Sequence, residues 1–261
     1  MISLLLPTLG TSQQDLKQLF NSLESQTNQD FELIVISQDN HNVINTLLAG
    51  YSFSFNHIEL DKRGLSLARN VGLEHVNGDI LTFSDDDCWY KEDAFEYIEQ
   101  FFKRPSRQIA CFMHKDPIKN RYPKVYPVEE ENNISRRRVL QQASIDIFVQ
   151  TKRVPDYTIG FDESFGLGTR YKSGEENIFL MDLKNKGYQI DYVPKLLSYH
   201  PIKDTLHIFD VETLVGKGPM FKRLFGRFQG LVLLVAFIIK NYNLIKEKRS
   251  IANCFLAFFN Y

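Results

Sequence analysis

The 261-residue chain is short of pairable cysteines, of net charge and of long apolar runs, and each shortage removes a class of protein. Its three cysteines, Cys88, Cys111 and Cys254, are odd in number, far apart and free of metal-type spacing. Neither a disulfide framework nor a zinc site is indicated, and a reducing compartment fits. A net charge of −1 gives no global pull toward nucleic acid or an acidic surface. The longest apolar run, Leu231 to Ile239, is about half of the ~20 residues that a spanning helix needs, so no transmembrane helix is expected. The opening Met-Ile-Ser-Leu-Leu-Leu-Pro has no basic segment ahead of its few apolar residues and does not read as a signal peptide.

What is present is ordinary for a soluble globular protein: 43% apolar and 24% charged residues, at the upper end of the length of one α/β domain with one principal core. Strand and helix patterns alternate. Ile2 to Leu6 is an apolar run stopped by Pro7, suited to a strand buried on both faces of a parallel sheet. Thr11 and Gln14 form a capping box for a helix in which Leu16, Leu19, Phe20 and Leu23 recur at helical spacing. Phe31 to Ile36 is a second buried strand. It ends in Ser37-Gln38-Asp39-Asn40, at the carboxyl end where ligands bind in open α/β sheets. Val43 to Leu48 is a weaker helix and Phe53 to Leu60 a third strand. Gly64 opens a helix with Leu65, Ala68, Val71 and Gly72 on one face; Arg69, beside that stripe, either reaches a neighbouring loop or a bound anion, or is a solvated or core-bracing cation. After the Asn77-Gly78 turn, Ile80 to Ser84 is the fourth strand. This alternation implies right-handed crossovers and a mostly parallel sheet, which sets Asp39 and the residues after the fourth strand beside one crevice.

Lys91 to Phe102 is an amphipathic helix. From Lys115 to Arg138, prolines, Glu129-Glu130-Glu131 and Arg136-Arg137-Arg138 mark a long mobile insertion, either a lid or a solvated excursion. Ile145 to Val149 and Ile190 to Val193 return to strand.

Two stretches carry chemistry. In Leu81 to Cys88 an apolar run ends in three consecutive carboxylates, Asp85, Asp86 and Asp87. Two unit charges ~4 Å apart repel by about 4 kcal/mol at an effective dielectric near 20. A divalent cation shared with substrate phosphates would relieve that repulsion, and a solvated loop with divergent side chains would also do so. In Phe161 to Asn177, three glycines lead into Glu175-Glu176 at a helix start. The helix dipole explains one glutamate there, and a carboxylate presented to substrate as general base explains two. His200, between an apolar segment and Pro201, is by itself more typical of a structural residue than of a ligand. A nucleotidyltransferase would need a glycine-rich basic loop after the first strand, and an Asp-x-Asp phosphatase would need its acids there; neither is found.

Together Ile-Ser-Leu-Leu-Leu-Pro-Thr, the Ser-Leu-Glu-Ser-Gln-Thr of residues 22 to 27, the Gly-Leu-Ser-Leu-Ala-Arg-Asn-Val-Gly of residues 64 to 72, Asp-Asp-Asp, and Gly-Glu-Glu with a downstream Tyr-His resemble the inverting family 2 glycosyltransferases of polysaccharide, O-antigen and capsule biosynthesis. The resemblance covers residues 1 to 100 and 160 to 201. It implies a GT-A fold: an α/β, Rossmann-like, mostly parallel sheet flanked by helices, with a nucleotide-binding half (1–114), an acceptor half (115–203) and a helical extension (204–261). It implies a nucleoside diphosphate sugar donor, expected to be UDP-linked, a glycan or lipid-linked glycan acceptor, and Mn2+ or Mg2+ as cofactor. Residue by residue, Asp85 and Asp87 match the DxD motif and, with His200, the metal ligands. Asp86 falls on the donor side with Pro7, Thr8, Gln38, Asp39 and Arg69. Glu176 matches the catalytic base and Glu175 its neighbour, which orients it or binds acceptor. Two positions depart from the family: Ser37-Gln38 stands where Asp-Asp recognises the base, with Asp39 one residue later, and the base is glutamate rather than aspartate. A non-catalytic assembly protein on the same fold is the competing reading, disfavoured by the intact acid set.

The charge is unevenly spread. Between Lys217 and Arg249 eight basic residues meet one acid, Glu247, for a local net charge of +7. Basic residues interleaved with Phe221, Leu224, Phe225, Phe228 and Leu231 to Ile239 fit either helices lying in a bilayer interface or a helical layer covering the sheet. No nucleic-acid-binding motif accompanies them. A cytoplasmic protein, peripheral on the cytoplasmic membrane face if the tail engages lipid, is expected.

Overall fold

In the computed structural model, which describes residues 1–202 and 209–261, the apolar runs become strands of one eight-stranded sheet. The strands are β1 (Ile2–Thr8), β2 (Phe31–Ser37), β3 (Ser54–Glu59), β4 (Ile80–Phe83), β5 (Trp89–Tyr90), β6 (Ile109–Lys115), β7 (Ile147–Gln150) and β8 (Ile190–Tyr199), in the spatial order β3-β2-β1-β4-β7-β6-β8-β5. The helices are α1 (Gln13–Glu24), α2 (His41–Leu48), α3 (Leu65–Leu73), α4 (Ala94–Phe102), α5 (Arg136–Val139), α6 (Glu175–Asn185), α7 (Val211–Asn241) and α8 (Ser250–Asn260). The fold is α/β, and its sheet is mixed. The β1 to β4 half is parallel, β7 runs antiparallel to β4 and β6, and β8 is parallel to β6.

Alternate strand residues feed two cores, one on each face of the sheet. Leu4 and Leu6 join Leu16, Leu19, Phe20 and Leu23 of α1 and Phe95, Ile98 and Phe102 of α4. Leu5, Phe83 and Ile147 join α6 and the C-terminal helices on the other face, through Ile178, Phe179, Leu214, Phe221 and Phe258.

Several expectations shift. Pro7 does not stop β1, because the odd residues of β1 point toward β4, whose ladder has already ended at Leu5↔Phe83. Its missing N–H therefore costs no sheet hydrogen bond. The cap of α1 is Ser12, whose hydroxyl accepts from the Asp15 N–H, rather than Thr11 with Gln14. The α4 helix starts at Ala94, three residues later than expected. β6 was not read as a strand from the sequence, and β8 continues through Pro194 to Tyr199. The β6–β8 ladder skips from Cys111↔Tyr192 to Met113↔Leu196, so the proline falls in the irregular stretch. The insertion after β6 is tied down rather than loose. Glu131 and Tyr192 exchange backbone hydrogen bonds, and Arg107 links Glu130 to the buried Asp191.

The C-terminal helices contribute to the main core through Leu214, Met220, Phe221, Leu224, Leu234, Ile238, Cys254 and Phe258. By length and composition the stretch Val211–Leu244 qualifies as a membrane-crossing helix. Gly226 (φ 73°, ψ −176°) breaks it into two legs. The second leg folds back along the first: a Cβ on Gly230 would lie 2.6 Å from the Phe221 carbonyl, and the Phe221 and Phe237 rings are 5.6 Å apart. Each leg is about 15 residues or ~22 Å long, short of a ~30 Å hydrocarbon layer. The expected domain boundary at residues 203 and 204 lies outside the described residues.

Candidate active site

The carboxyl ends of β1, β2 and β4 open on one side of the sheet, and the chain leaves β4 straight into the acidic triplet. Ser84 N–H still donates to the Leu5 carbonyl (2.8 Å), so Asp85 is the first residue free of the sheet. At the end of β1, Thr8 Oγ1 accepts from Gly10 N–H and donates to Asp86 Oδ2, both at 2.9 Å. Burial of Asp86 raises its pKa, the Thr8 hydrogen bond opposes that, and the charges of Asp87 and Asp85 add to it. Asp86 is thus tethered to β1, while Asp85 and Asp87 stand on either side of it.

His200 arrives from the far side of the sheet, directly after β8. Its backbone N–H donates to the Lys115 carbonyl (3.1 Å), and its Nε2 lies 3.1 Å from Asp87 Oδ1. Ligand atoms of Asp85, Asp87 and His200 all lie within 4.8 Å of one another. Adjacent ligands of a six-coordinate ion at about 2.1 Å are about 3 Å apart, so the His200–Asp87 separation matches one edge of such a shell. The two carboxylates suit Mn2+ or Mg2+ and the imidazole is acceptable to Mn2+, and such an ion would keep positions for substrate oxygens. Beneath His200, the buried pair His114–Asp146 (2.8 Å) brings the His114 ring within 5.9 Å of the His200 ring. Neither residue was singled out from the sequence, since only the tertiary fold brings them there.

The second half of the site comes from α3 and α6. Arg69 is 1% exposed and lies 3.5 Å from Asp85 and 3.3 Å from Glu175. Its guanidinium sits over the Phe83 and Phe161 rings at 5.7 and 5.2 Å, and its Nε has no hydrogen-bond partner among the described residues. The bracing alternative for Arg69 is therefore real, and the same cation links the acidic triplet to the α6 glutamates. Glu175 is buried against Arg69, and Glu176 follows it in the first turn of α6, whose cap is Gly174 in the left-handed region (φ 99°). Glu176 faces the cavity but is desolvated enough, with Glu175 beside it, to push its pKa up to about 8, against the opposing charges of Arg69 and Lys217.

Asp85, Asp86, Asp87, His200, Arg69, Glu175 and Glu176 line one cavity of about 580 Å³, together with Pro7, Thr8, Gln38, Arg63, Gly64, Leu167 and Gly168. Gln38 is buried, and its Oε1 accepts from Gly64 N–H (2.6 Å), so that atom serves the α3 start. Asp39 is not part of the lining; it pairs with Arg63, which is. Of the expected residues, then, Asp39 alone stands back from the cavity.

A family model described as glycosyl transferase family 2 matches residues 3–172. Glycosyltransferase AglE of Haloferax volcanii is 20% identical over 92% of this chain and 82% of its own length. Glycosyltransferase GlyA of Streptococcus pneumoniae is 29% identical over 34% of this chain, a stretch that spans 13% of that longer protein. Among solved structures, S. aureus TarS 1–349 in complex with UDP-GlcNAc superposes with a TM-score of 0.72 at 18% identity, over 98% of this chain and 79% of that one. The mannosyltransferase PcManGT of Pyrobaculum calidifontis, in complex with GDP-Man and Mn2+, gives 0.64 at 12% identity over 99% and 86%. At these identities the structures speak to the fold.

Proposed function

The chain belongs to glycosyl transferase family 2 and is a glycosyltransferase, and we propose that it moves a sugar, with inversion at the anomeric carbon, from a UDP-linked donor to a hydroxyl of a lipid-linked oligosaccharide or polysaccharide. The observation that carries this reading is the single cavity lined by Asp85, Asp87, His200, Glu175 and Glu176. Glu176 takes the acceptor hydroxyl proton. The freed oxygen bonds to the anomeric carbon as the bond to the diphosphate breaks, and that electron pair leaves with the diphosphate. A base whose pKa lies near neutrality is matched to this transfer. Asp85, Asp87 and His200 would hold a Mn2+ or Mg2+ ion that stabilises the charge growing on the leaving diphosphate. Arg69 and Glu175 hold the triplet and the base in fixed relation, and Pro7, Thr8, Gln38 and Arg63 line the donor end, with Asp39 holding Arg63. The complexes of similar structures with UDP-GlcNAc and with GDP-Man and Mn2+ support a nucleotide-sugar donor.

The test is a thermal-shift panel of nucleotide sugars with Mn2+, since a ligand that binds only the native state raises Tm. A UDP-sugar should stabilise wild type, and Asp87→Asn or EDTA should remove the gain. Stabilisation that persists unchanged in Asp87→Asn would exclude the metal role.

The second leg of α7 favours a membrane surface as a further partner. Phe228, Val232, Val235 and Ile239 recur at helical spacing and are 82%, 55%, 39% and 71% exposed, while Leu234 and Ile238 face inward. An apolar outer face with Arg227, Lys240, Lys246, Lys248 and Arg249 exposed around it suits an anionic bilayer. Vesicles containing anionic lipid should co-sediment wild type and release Phe228→Asp/Ile239→Asp. Equal sedimentation of the two proteins would sink the idea.

A further inference from the structure

Lys217 on the first leg of α7 is not accounted for by the cavity. Its Nζ donates to Ser173 Oγ (3.1 Å), two residues ahead of Glu175 and three ahead of Glu176. The approach of α7 to this loop is close because small residues line the contact. A Cβ on Gly174 would lie 2.5 Å from Met220 Sδ, Gly216 sits against Tyr171 and the Lys172 backbone, and Gly218 sits against the Cys254 carbonyl of α8. Gly174 is the cap of α6, so α7 packs directly on the turn that sets the direction of both glutamates. A lysine brought to this position carries a charge behind a pair of adjacent carboxylates whose other cation, Arg69, is shared with Asp85.

We infer that Lys217 is a positioning residue for Glu176: through Ser173 it fixes the turn that aims the carboxylate, and its ammonium stabilises the ionised base from behind. This rests on the proposed role of Glu176 and assigns part of the site's function to the C-terminal layer. The groups facing Glu176 are Glu175 from its own helix, Arg69 from α3 and Lys217 from α7; those facing Lys217 are Glu176, Glu175 and Cys254 from α8. Asp85, Asp87 and His200 share the cavity. The neighbouring Lys172 is engaged by Glu212 at the exposed surface. Burial lowers the pKa of Lys217 and the two glutamates oppose that, while Lys217 and Arg69 together hold Glu176 below where burial and Glu175 would take it. The charges of Lys217 and Glu176 therefore each favour ionisation of the other.

The experiment is a pH titration of full-length protein carrying carboxyl-13C glutamate, with Glu176→Gln assigning the Glu176 resonance. In Lys217→Met the Glu176 midpoint should rise, as expected when an opposite charge is removed. Lys217→Arg should return it to near the wild-type value. A midpoint unchanged in a folded Lys217→Met protein overturns the inference. Should Lys217→Met not fold, the wild-type protein still decides: the Lys217 15Nζ signal must respond over the same pH interval as Glu176, and independent titrations overturn the coupling. No donor is needed, so the result separates from the base role. Glu176→Gln with full turnover would remove that role and leave the Lys217–Glu176 coupling standing.

Discussion

Arg69 and Glu175 are expected to be energetically coupled, and a double-mutant cycle measures by how much. Their side chains are 1% and 9% exposed and 3.3 Å apart. Arg69→Met leaves Glu175 buried without its cation, and breaking a buried pair in this way costs about 3–5 kcal/mol. It also empties the space over the Phe83 and Phe161 rings, where the guanidinium is worth on the order of 1 kcal/mol. Glu175→Gln is milder, because Arg69 keeps Asp85 at 3.5 Å; a cost of about 1–2 kcal/mol is expected. The double variant leaves neither charge stranded by the other, so its cost should fall short of the sum by about 2 kcal/mol. Urea denaturation followed by tryptophan fluorescence gives each stability, and the m-values check that the unfolding reaction is the same in all four proteins. Costs that add to within about 0.5 kcal/mol would refute the buried pair as the link between the triplet and α6.

Glu176 makes stability depend on pH. Its native pKa, pushed up to about 8, exceeds the ordinary 4.5, so between those values the native state holds a proton that the unfolded state has released. Wild-type Tm should therefore fall relative to Glu176→Gln as pH rises from 5 to 9, and parallel curves would contradict the desolvated carboxyl. Gly218→Ala places a methyl group against the Cys254 carbonyl and should cost about 1–3 kcal/mol by chemical denaturation, whereas a neutral effect would show that α7 and α8 are loosely packed. Truncation after Thr213 removes Leu214, Phe221, Leu224 and Phe258 from the main core. It should give an insoluble or unfolded chain; a folded, monomeric product by circular dichroism would show that the helices are an appendage.

How much of this could be read from residues alone varied with how local the signal was. β1 and β2 were legible because unbroken aliphatic runs belong to strands covered on both faces. Asp85 to Asp87 stood out because nothing local explains three adjacent charges. β6 escaped because Ile-Ala-Cys-Phe-Met-His-Lys follows no clean alternation, and its place is set by pairing with β7 and β8 far along the chain. Pro7 misled because a proline's cost depends on which neighbour its missing N–H would have faced. The depth of Arg69 and the reach of Lys217 depend on partners about a hundred and about forty residues away, and periodicity carries no trace of either. Of the tail's two readings, the helical layer covering the sheet is what the structure shows, since one face of α7 enters the core; the exposed apolar face of its second leg is the ground for the proposed membrane contact.

The contacts that join α3 to the α6 region span long stretches of chain: Arg69 meets Glu175 across 106 residues, and Ser66 Oγ donates to the Phe165 carbonyl across 99. Loop closure over such distances must be met before either contact stabilises anything, so they belong to the late, slow part of folding. The first half of the sheet can therefore assemble with its acidic strand end still lacking Arg69's counterpart. Refolding should show a native-like secondary-structure signal well before the charged centre closes, and binding of the proposed nucleotide-sugar donor should recover with the slower of the two phases.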